Sequence, residues 1–451
     1  MKITFFGGTE TVTGSKYLVE TTHSRVLIDC GLYQGYKWLR DRNWEPLPFD
    51  LEKLDAILLT HAHLDHSGYI PFLYKQGYRK PVYTHHATKE LCAILLADSG
   101  HIQEEDAKYY NKHKLGKHAH PEPLYDRATA EKSMGLFKSV EFGQHFTVGD
   151  IDVHLQGAGH ILGAASIIIE NDGKKVGFSG DVGRPEDVLM REPKPLPELD
   201  LLLLESTYGN RRHDTADPMQ QLADVVTDTV KKGGVLLIPS FAVGRAQTLQ
   251  HMFATLMRER RIPKMPIYLD SPMAIDVSDI YCRYNDEHRL SHEQCRDMCA
   301  ITTMTQSVEE SKAIADQQYP HVVIAGSGMA TGGRILHHFK RLLPDHRTTV
   351  LFVGYQAGGT RGAKMLDGVE SVKIHGQWIP LKAQVRVIHG LSGHGDYMDM
   401  SNWLEQSALR NNMPVRLVHG DPDALEAMRE HLQRTSNFNV EVASYRQVLE
   451  V

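Results

Sequence analysis

Three imidazoles and a carboxylate fall within six residues, at His61, His63, Asp65 and His66, directly behind the apolar run Ala56 to Thr60. Desolvating such groups in a core with nothing to satisfy them is costly. The fold must therefore bring this segment to the end of a layer and give the side chains a shared partner. The preceding run reads as a strand buried in a sheet, and side chains fan out from the turn that ends it. His61 and His63 then point one way and Asp65 and His66 the other, which suits two metal ions.

Further candidates end later strands. His160 lies in GAGHILGAAS, after a strand ending at Gln156; Asp181 lies in FSGDVG, where a carboxylate following a buried strand could bridge two cations; His419 lies in LVHGD, after Val415 to Val418. Singly, each is as well read as a cap or a turn residue. Together, all beside glycine at strand C-termini, they mark one edge of a sheet, where open α/β folds gather a site. The chain holds 26 histidines, and histidine is the commonest metal ligand. Its five cysteines are an odd number and include no CxxC pair. They predict reduced thiols in a cytoplasmic protein, with neither a disulfide frame nor a cysteine zinc site.

Short apolar runs bounded by glycine predict strands at Lys2 to Phe6, Lys16 to Glu20, Arg25 to Asp29 and Ala56 to Thr60, then at Ile151 to Gln156, Ala165 to Glu170 and Lys175 to Ser179. Between them, Thr88 to Phe137 is helical and polar. After Leu201 to Glu205 the rhythm changes to strand, loop, helix, at Gly234 to Pro239 with Ala242 to Arg258, and at His321 to Ala325 with Arg334 to Leu343. Such alternation predicts a parallel sheet with crossover helices. From Gln384 to Val451 short strands with HG and HGD loops return. The expected division is 1–208, 209–372 and 373–451. No run of 18 or more apolar residues occurs, and the chain opens on a strand-like MKITFFGG, so neither a membrane span nor a signal peptide is expected. A net charge of −6 argues against wholesale coating of nucleic acid, which would have to be held in a local basic groove.

The order Asp29, HAHLDH, His160, Asp181 resembles the metallo-β-lactamase superfamily. Leu203-Leu204-Glu205-Ser206-Thr207-Tyr208-Gly209, Leu391-Ser392-Gly393-His394-Gly395-Asp396 and Val418-His419-Gly420-Asp421 are similar to motifs A, B and C of the β-CASP nucleases, and GGTETVTGS, SGMATGGR and GYQAGGTRG extend the likeness over essentially the whole chain. The resemblance implies an α/β fold, a metallo-β-lactamase αββα sandwich with an inserted parallel-sheet β-CASP domain, holding two Zn2+ ions per chain. Carried over by position, His61, His63 and His160 hold one zinc, Asp65, His66 and His419 the other, and Asp181 bridges them. Asp29 is the supporting acid that orients its neighbours. Asp65, Asp181, His394 and Glu205 form the implied catalytic set, with His394 as general acid positioned by Glu205. A histidine at motif C resembles the RNA-cutting members, so zinc-dependent hydrolysis of single-stranded RNA is expected. Two rivals stand beside it: a small-substrate hydrolase of the same superfamily, such as a thioesterase, and a non-catalytic RNA-processing subunit. Without the N-terminal region of archaeal relatives or a long C-terminal extension, partners are expected to supply recognition, as a homodimer or an RNA-processing complex.

The loop Gly326 to Gly333 has GxGxxxG spacing and fits a nicotinamide fingerprint poorly. Amides in such a loop at a helix start can still receive a phosphate. Ser240 and Arg245 occupy an equivalent loop. Ser240, Arg245, Ser327, Gly328, Met329, Thr331 and Lys364 are therefore expected to bind the substrate backbone, the alternative being that these loops only turn the chain. Ala363-Lys364 departs from the family pattern, in which an arginine often follows, and Lys364 is expected to replace it. Arg211, Arg212, Arg334 and Arg361 are further candidates for a basic groove. His113 to His120 is expected to be a solvated lid segment, not a third metal site.

Overall fold

The computed structural model describes residues 1–113, 122–354, 356 and 359–451. Most of the tract from His113 to His120 thus lies outside the described residues. The chain forms two compact units: one from Met1–Glu186, Met190–Arg212 and His394–Val451, the other from Asp187–Leu189 and His213–Gly393.

The first unit holds two seven-stranded sheets. One has the order Val448–Glu450, Lys2–Gly7, Lys16–Glu20, Arg25–Ile28, Ala56–Leu58, Val82–His85, Phe137–Val140; the other runs Asn439–Val442, Pro414–Val418, Leu201–Glu205, Lys174–Phe178, Ala165–Asn171, Ile151–Gly157, His145–Val148. Strand residues alternate between faces. Phe5, Val19, Ile28 and Leu58 of one sheet meet Leu155, Ile167, Phe178 and Leu203 of the other in a common core. On the outer face of the second sheet, Leu202, Leu204, Val415 and Leu417 pack against Met400, Trp403, Leu404, Leu425 and Met428. Those side chains come from the helices Tyr397–Gln406 and Pro422–Thr435. The helix His86–His113 packs on Val82–His85 and Phe137–Val140 of the first sheet. This is the expected αββα sandwich. Its C-terminal stretch is richer in helix than the sequence suggested, because Asp396 and Pro422 start helices. Asp396 accepts from the backbone of Met398 and Asp399 in a capping box, and Pro422 sits at a helix start.

Three facts about these sheets place chemistry at one edge. Arg25–Ile28, Ala56–Leu58 and Val82–His85 are parallel neighbours, as are Lys174–Phe178, Leu201–Glu205 and Pro414–Val418. Parallel strands end together. Asp29, Thr60, Asp181, Glu205 and His419 all stand at or just beyond such ends.

The second unit is built on six parallel strands in the order Thr303–Met304, Ile267–Asp270, His321–Ala325, Val235–Pro239, Thr349–Val353, Gln384–Ile388. Leu236 and Ile238 face the helices that carry Leu222, Leu249 and Phe253, and Val235 and Leu237 face the side that carries Ile335 and Phe339. Helices on both faces are what a parallel sheet requires. The strand Gln384–Ile388 pairs along its length with Thr349–Val353, so this unit runs on past residue 372.

Asp270 ties the second unit together. It is fully buried and accepts from Thr305 Oγ1 at 2.7 Å, Ser311 Oγ at 2.6 Å, Arg334 Nη1 at 2.8 Å and His338 Nε2 at 2.7 Å. Burial alone would raise its pKa. The hydrogen bonds, led by His338, outweigh burial and hold the carboxyl well below the usual carboxylate range. A depressed folded pKa contributes stability that is complete above the unfolded value of about 3.9 and is lost as the pH falls towards the folded value. Asp270→Asn is therefore expected to destabilise this unit by about 2–3 kcal/mol at neutral pH. Urea denaturation at pH 7 and at pH 3.5 checks this: the gap between wild type and variant should narrow at the lower pH.

Candidate metal centre

Behind Ala56–Leu58 the chain turns through His61 and Ala62 into the short helix Leu64–Ser67, whose start is fixed by Ser67 Oγ donating to Ala62 O at 2.8 Å and His63 O at 3.0 Å. Neighbouring backbone then grips the turn. Ser15 N donates to Asp65 O at 2.9 Å, Cys30 N to His66 O at 2.6 Å and Leu32 N to Leu64 O at 2.8 Å. Gly31 permits that approach, since a Cβ there would stand 1.6 Å from Asp65 O.

The side chains expected from the sequence converge as two sets. In one, His61 Nε2 and His160 Nε2 each lie 3.2 Å from His63 Nδ1, and 3.4 and 3.6 Å from Asp181 Oδ2. In the other, His66 Nε2 lies 3.1 Å from His419 Nε2 and 3.2 Å from Asp181 Oδ1, and His419 Nε2 lies 3.5 Å from Asp65 Oδ2. Asp181 thus turns one oxygen to each set. Oδ1 is buried and has no hydrogen-bond partner among the described residues. Tetrahedral zinc with bonds of about 2.0–2.1 Å has ligand-to-ligand edges of about 3.3–3.4 Å. Both sets fit an ion of that size.

The outer hydrogen-bond partners agree with that fit. Thr60 donates its amide to Asp29 Oδ1 at 2.8 Å and its hydroxyl to Asp29 Oδ2 at 2.9 Å, and that hydroxyl can then accept from His61 Nδ1 at 3.1 Å. His66 Nδ1 lies 2.7 Å from Asp29 Oδ2. Thr207 Oγ1 donates to His419 O at 3.2 Å and can accept from His419 Nδ1 at 3.1 Å. With each Nδ1 turned to an outer oxygen, the Nε2 atoms of His61, His66 and His419 face inward. Asp29 and His419 adopt left-handed backbone conformations, at φ 57° and 50°. Such positions are strained for residues other than glycine and are held only where the surroundings over-determine them.

Burial, then the charge of His66, keeps His61 below the ordinary histidine range, burial and His61 press His63 down to about 3, and burial and His394 lower His160. Lowered values favour the neutral imidazole, the form that can bind a cation. Burial would also lower His66, but Asp181 and Asp29 outweigh it and raise it. For Asp181, burial acts upward, and the neighbouring His419, His66 and His61 nevertheless hold the carboxyl well below its usual range.

His394 stands beside this cluster. Its Nδ1 lies 3.0 Å from Glu205 Oε1, and its Nε2 lies 4.0 Å from Asp181 Oδ2. Glu205 is fixed in turn by the amides of Val182 at 2.9 Å and Thr207 at 3.0 Å. Burial lowers the His394 pKa, but the charge and hydrogen bond of Glu205 outweigh it and lift the imidazole to about 9. Thr60 and Thr207 orient the histidines, a role the sequence reading did not assign. Each adjoins a residue it did single out, His61 or the motif around Glu205.

The loop residues of the second unit gather separately. Ser240 N donates to Ala325 O at 3.0 Å, which sets its loop beside the one carrying Ser327. Ser327 Oγ accepts from the amides of Thr331 at 3.1 Å and Gly332 at 3.2 Å. A Cβ on Gly328 would stand 2.6 Å from the Phe241 ring. Gly362 N donates to Met329 O at 3.1 Å, which seats the helix Arg361–Leu366 with Lys364 against the same loop, and Arg245 begins the helix Arg245–Arg258. Arg334 is engaged with Asp270, Thr305 O and Gln306 O, and Arg361 with Lys373 O and Ala330 O. Both are spent on holding the fold.

Three family models match the chain: a β-lactamase superfamily domain over residues 24–237, a Beta-Casp domain over 246–365 and a Zn-dependent metallo-hydrolase RNA specificity domain over 378–443. Ribonuclease TTHA0252 of Thermus thermophilus is 36% identical over 435 residues, covering 95% of each chain. The transcription termination factor FttA of Methanosarcina mazei is 31% identical over 94% of this chain and 67% of its own length. A crystal structure of a protein of unknown function from Enterococcus faecalis V583 superposes with a TM-score of 0.57 at 12% identity, covering 100% of this chain and 99% of that one, a likeness of fold alone. Its sandwich fold, its inserted parallel-sheet unit and a relative matching nearly its whole length place the chain in the β-CASP family of the metallo-β-lactamase superfamily.

Proposed function

We propose that the chain is a two-zinc ribonuclease of the cytoplasm, hydrolysing phosphodiester bonds of single-stranded RNA. The observation that carries this reading is the division of the Asp181 carboxylate between two nitrogen-and-oxygen sets, with the His394 and Glu205 pair alongside. The choice of RNA is supported by the similarity to a ribonuclease, by the RNA specificity family model and by His419 in motif C. Five free cysteines accord with a reducing compartment. Among the described residues no helix is long and apolar enough to cross a membrane.

His61, His63, His160 and Asp181 would hold one zinc ion, and Asp65, His66, His419 and Asp181 the other. Bound zinc supplies Lewis acidity and the positive charge that a phosphodiester and its attacking water require. Asp29 keeps His66 in the ligating tautomer, and Thr60 and Thr207 do the same for His61 and His419. Glu205 accepts the His394 Nδ1 proton and stabilises the charged ring, so Nε2 carries a proton towards the cluster. That proton passes to the departing 3′ oxygen of the nucleotide. In the second unit the loops of Ser240 and Ser327, with Gly328, Met329, Thr331, Arg245 and Lys364, would contact the RNA backbone through amides and cations. A small-substrate hydrolase would have no need of the His394 and Glu205 pair.

His394→Ala should slow RNA cleavage by about a hundred- to ten-thousand-fold, the usual worth of a positioned general acid. A nitrophenyl phosphodiester releases a phenolate that needs no such help, so the same variant should lose far less on it. Equal losses on both substrates, or loss of metal from the variant, would make His394 a ligand or a binding residue instead. Single-stranded RNA should also be cut faster than DNA of the same sequence and faster than thioesters. Product mapping with end-labelled oligomers checks this, and equal rates on RNA and DNA would remove the inference drawn from His419.

A further inference from the structure

Four residues beyond Asp29 the chain leaves the sandwich in a loop closed at its neck by one side chain. Tyr33 N donates to Asn43 Oδ1 at 2.9 Å, Asn43 Nδ2 donates back to Tyr33 O at 2.8 Å, and Tyr69 OH donates to Asn43 O at 2.9 Å. Inside the neck only Leu39 turns inward. The large rings do not. Tyr36 is 66% exposed, Trp38 57% and Trp44 59%. Three such rings left in water within nine residues, Tyr36 to Trp44, form a patch that needs a reason.

Charge supplies one. Lys37, Arg40 and Arg42 interleave with the rings; Lys37 pairs with Asp41, which leaves the charges of Arg40 and Arg42 in excess there, in a chain whose net charge is −6. The Arg42 guanidinium lies over Trp38 at 5.2 Å and over Tyr445 at 4.5 Å from the ring centroids. Rings that present open faces beside cations are the pattern of surfaces that bind single-stranded nucleic acid, where bases stack and phosphates pair. A membrane-inserting tip would instead gather its rings into an unbroken apolar face, and here the carboxylate and cations interrupt them.

We propose that the loop from Tyr36 to Trp44 is a stacking platform for single-stranded RNA, with unpaired bases on Trp38 and Trp44 and the phosphates on Lys37, Arg40 and Arg42. The inference deepens the ribonuclease reading and rests on it for the choice of ligand. Its placement follows from the chain itself. The segment Cys30 to Leu32 that leads into the loop is bonded to the backbone of Leu64 and His66. The platform is therefore rooted in the backbone that carries the candidate metal ligands.

The test uses the full chain and a non-cleavable, 2′-O-methylated A-rich oligomer, beside an abasic oligomer with the same phosphates. The base-bearing oligomer should quench tryptophan fluorescence and bind more tightly than the abasic one. Trp38→Ala/Trp44→Ala should bind it about ten- to a hundredfold more weakly, the worth of one or two stacked bases, and should no longer tell the two oligomers apart. Trp38→Phe/Trp44→Phe keeps the ring faces and should stay within about threefold of wild type. Unchanged binding by the alanine variant, with RNA still cleaved by the wild type, overturns the platform and leaves the ribonuclease reading intact. Equal loss in the phenylalanine and alanine variants also overturns it. If the tryptophans govern binding to anionic phospholipid vesicles and not to the oligomer, the surface is a membrane contact and the proposal fails. A wild type that binds the base-bearing oligomer through this loop yet cuts no RNA sinks the ribonuclease reading and keeps the platform.

Discussion

Asp181 is 2% exposed, and each of its oxygens lies 3.2–3.6 Å from imidazole nitrogens of a different histidine set. A carboxylate buried this deeply cannot remain ionised without compensating positive charge. Protons on His66 supply part of it in the metal-free state. Burial pushes His61, His63 and His160 towards neutrality, and the Nε2 atoms of His61 and His160 each lie 3.2 Å from His63 Nδ1, a spacing that suits ligands around one cation. Two divalent cations, one for each set, would supply the positive charge that this carboxylate needs. Much of the first unit serves this arrangement: parallel strands that end together, the grip of Ser15, Cys30 and Leu32 on the metal loop, and strained backbone at Asp29 and His419.

Orientation is built outward from that carboxylate in layers. Asp29 receives Thr60 and His66, Thr60 holds His61, Thr207 holds His419, and Glu205 holds His394. Removing Asp29, Thr60 or Thr207 would leave the candidate ligand atoms present but let their rings turn, and removing Glu205 would do the same to His394. Such support commonly matters nearly as much to a metal site as the ligands do. Glu205 is the link between the layers, because its strand also supplies Leu201 and Leu203 to the core between the sheets.

What could be read from the residues alone was what local spacing encodes. His61 to His66 behind an apolar strand, and single polar residues beside glycine at later strand ends, pointed to a candidate metal centre because both signals are short-range. The strands Leu201–Glu205 and His321–Ala325 were legible for the same reason. Pairings distant in sequence were not. That Gln384–Ile388 joins the parallel sheet depends on contact with Thr349–Val353, which no local pattern carries. Asp396 was quoted only as part of a motif, when its carboxylate caps a helix, and Arg334 was read as a candidate for a basic groove, when Asp270 claims it. Exposure of Trp38 and Trp44 was also invisible, since Leu39 and Asn43 decide which way the loop faces.

The bridging role proposed for Asp181 makes two zinc sites into one cluster. Zinc titration of metal-depleted protein, followed by counting the metal retained per folded chain, tests it most directly. The wild type is expected to retain about two ions, and Asp181→Ala to weaken both sites jointly with the fold retained. A folded wild type that retains no zinc, or an Asp181→Ala variant that loses one ion and holds the other at undiminished affinity, would contradict it.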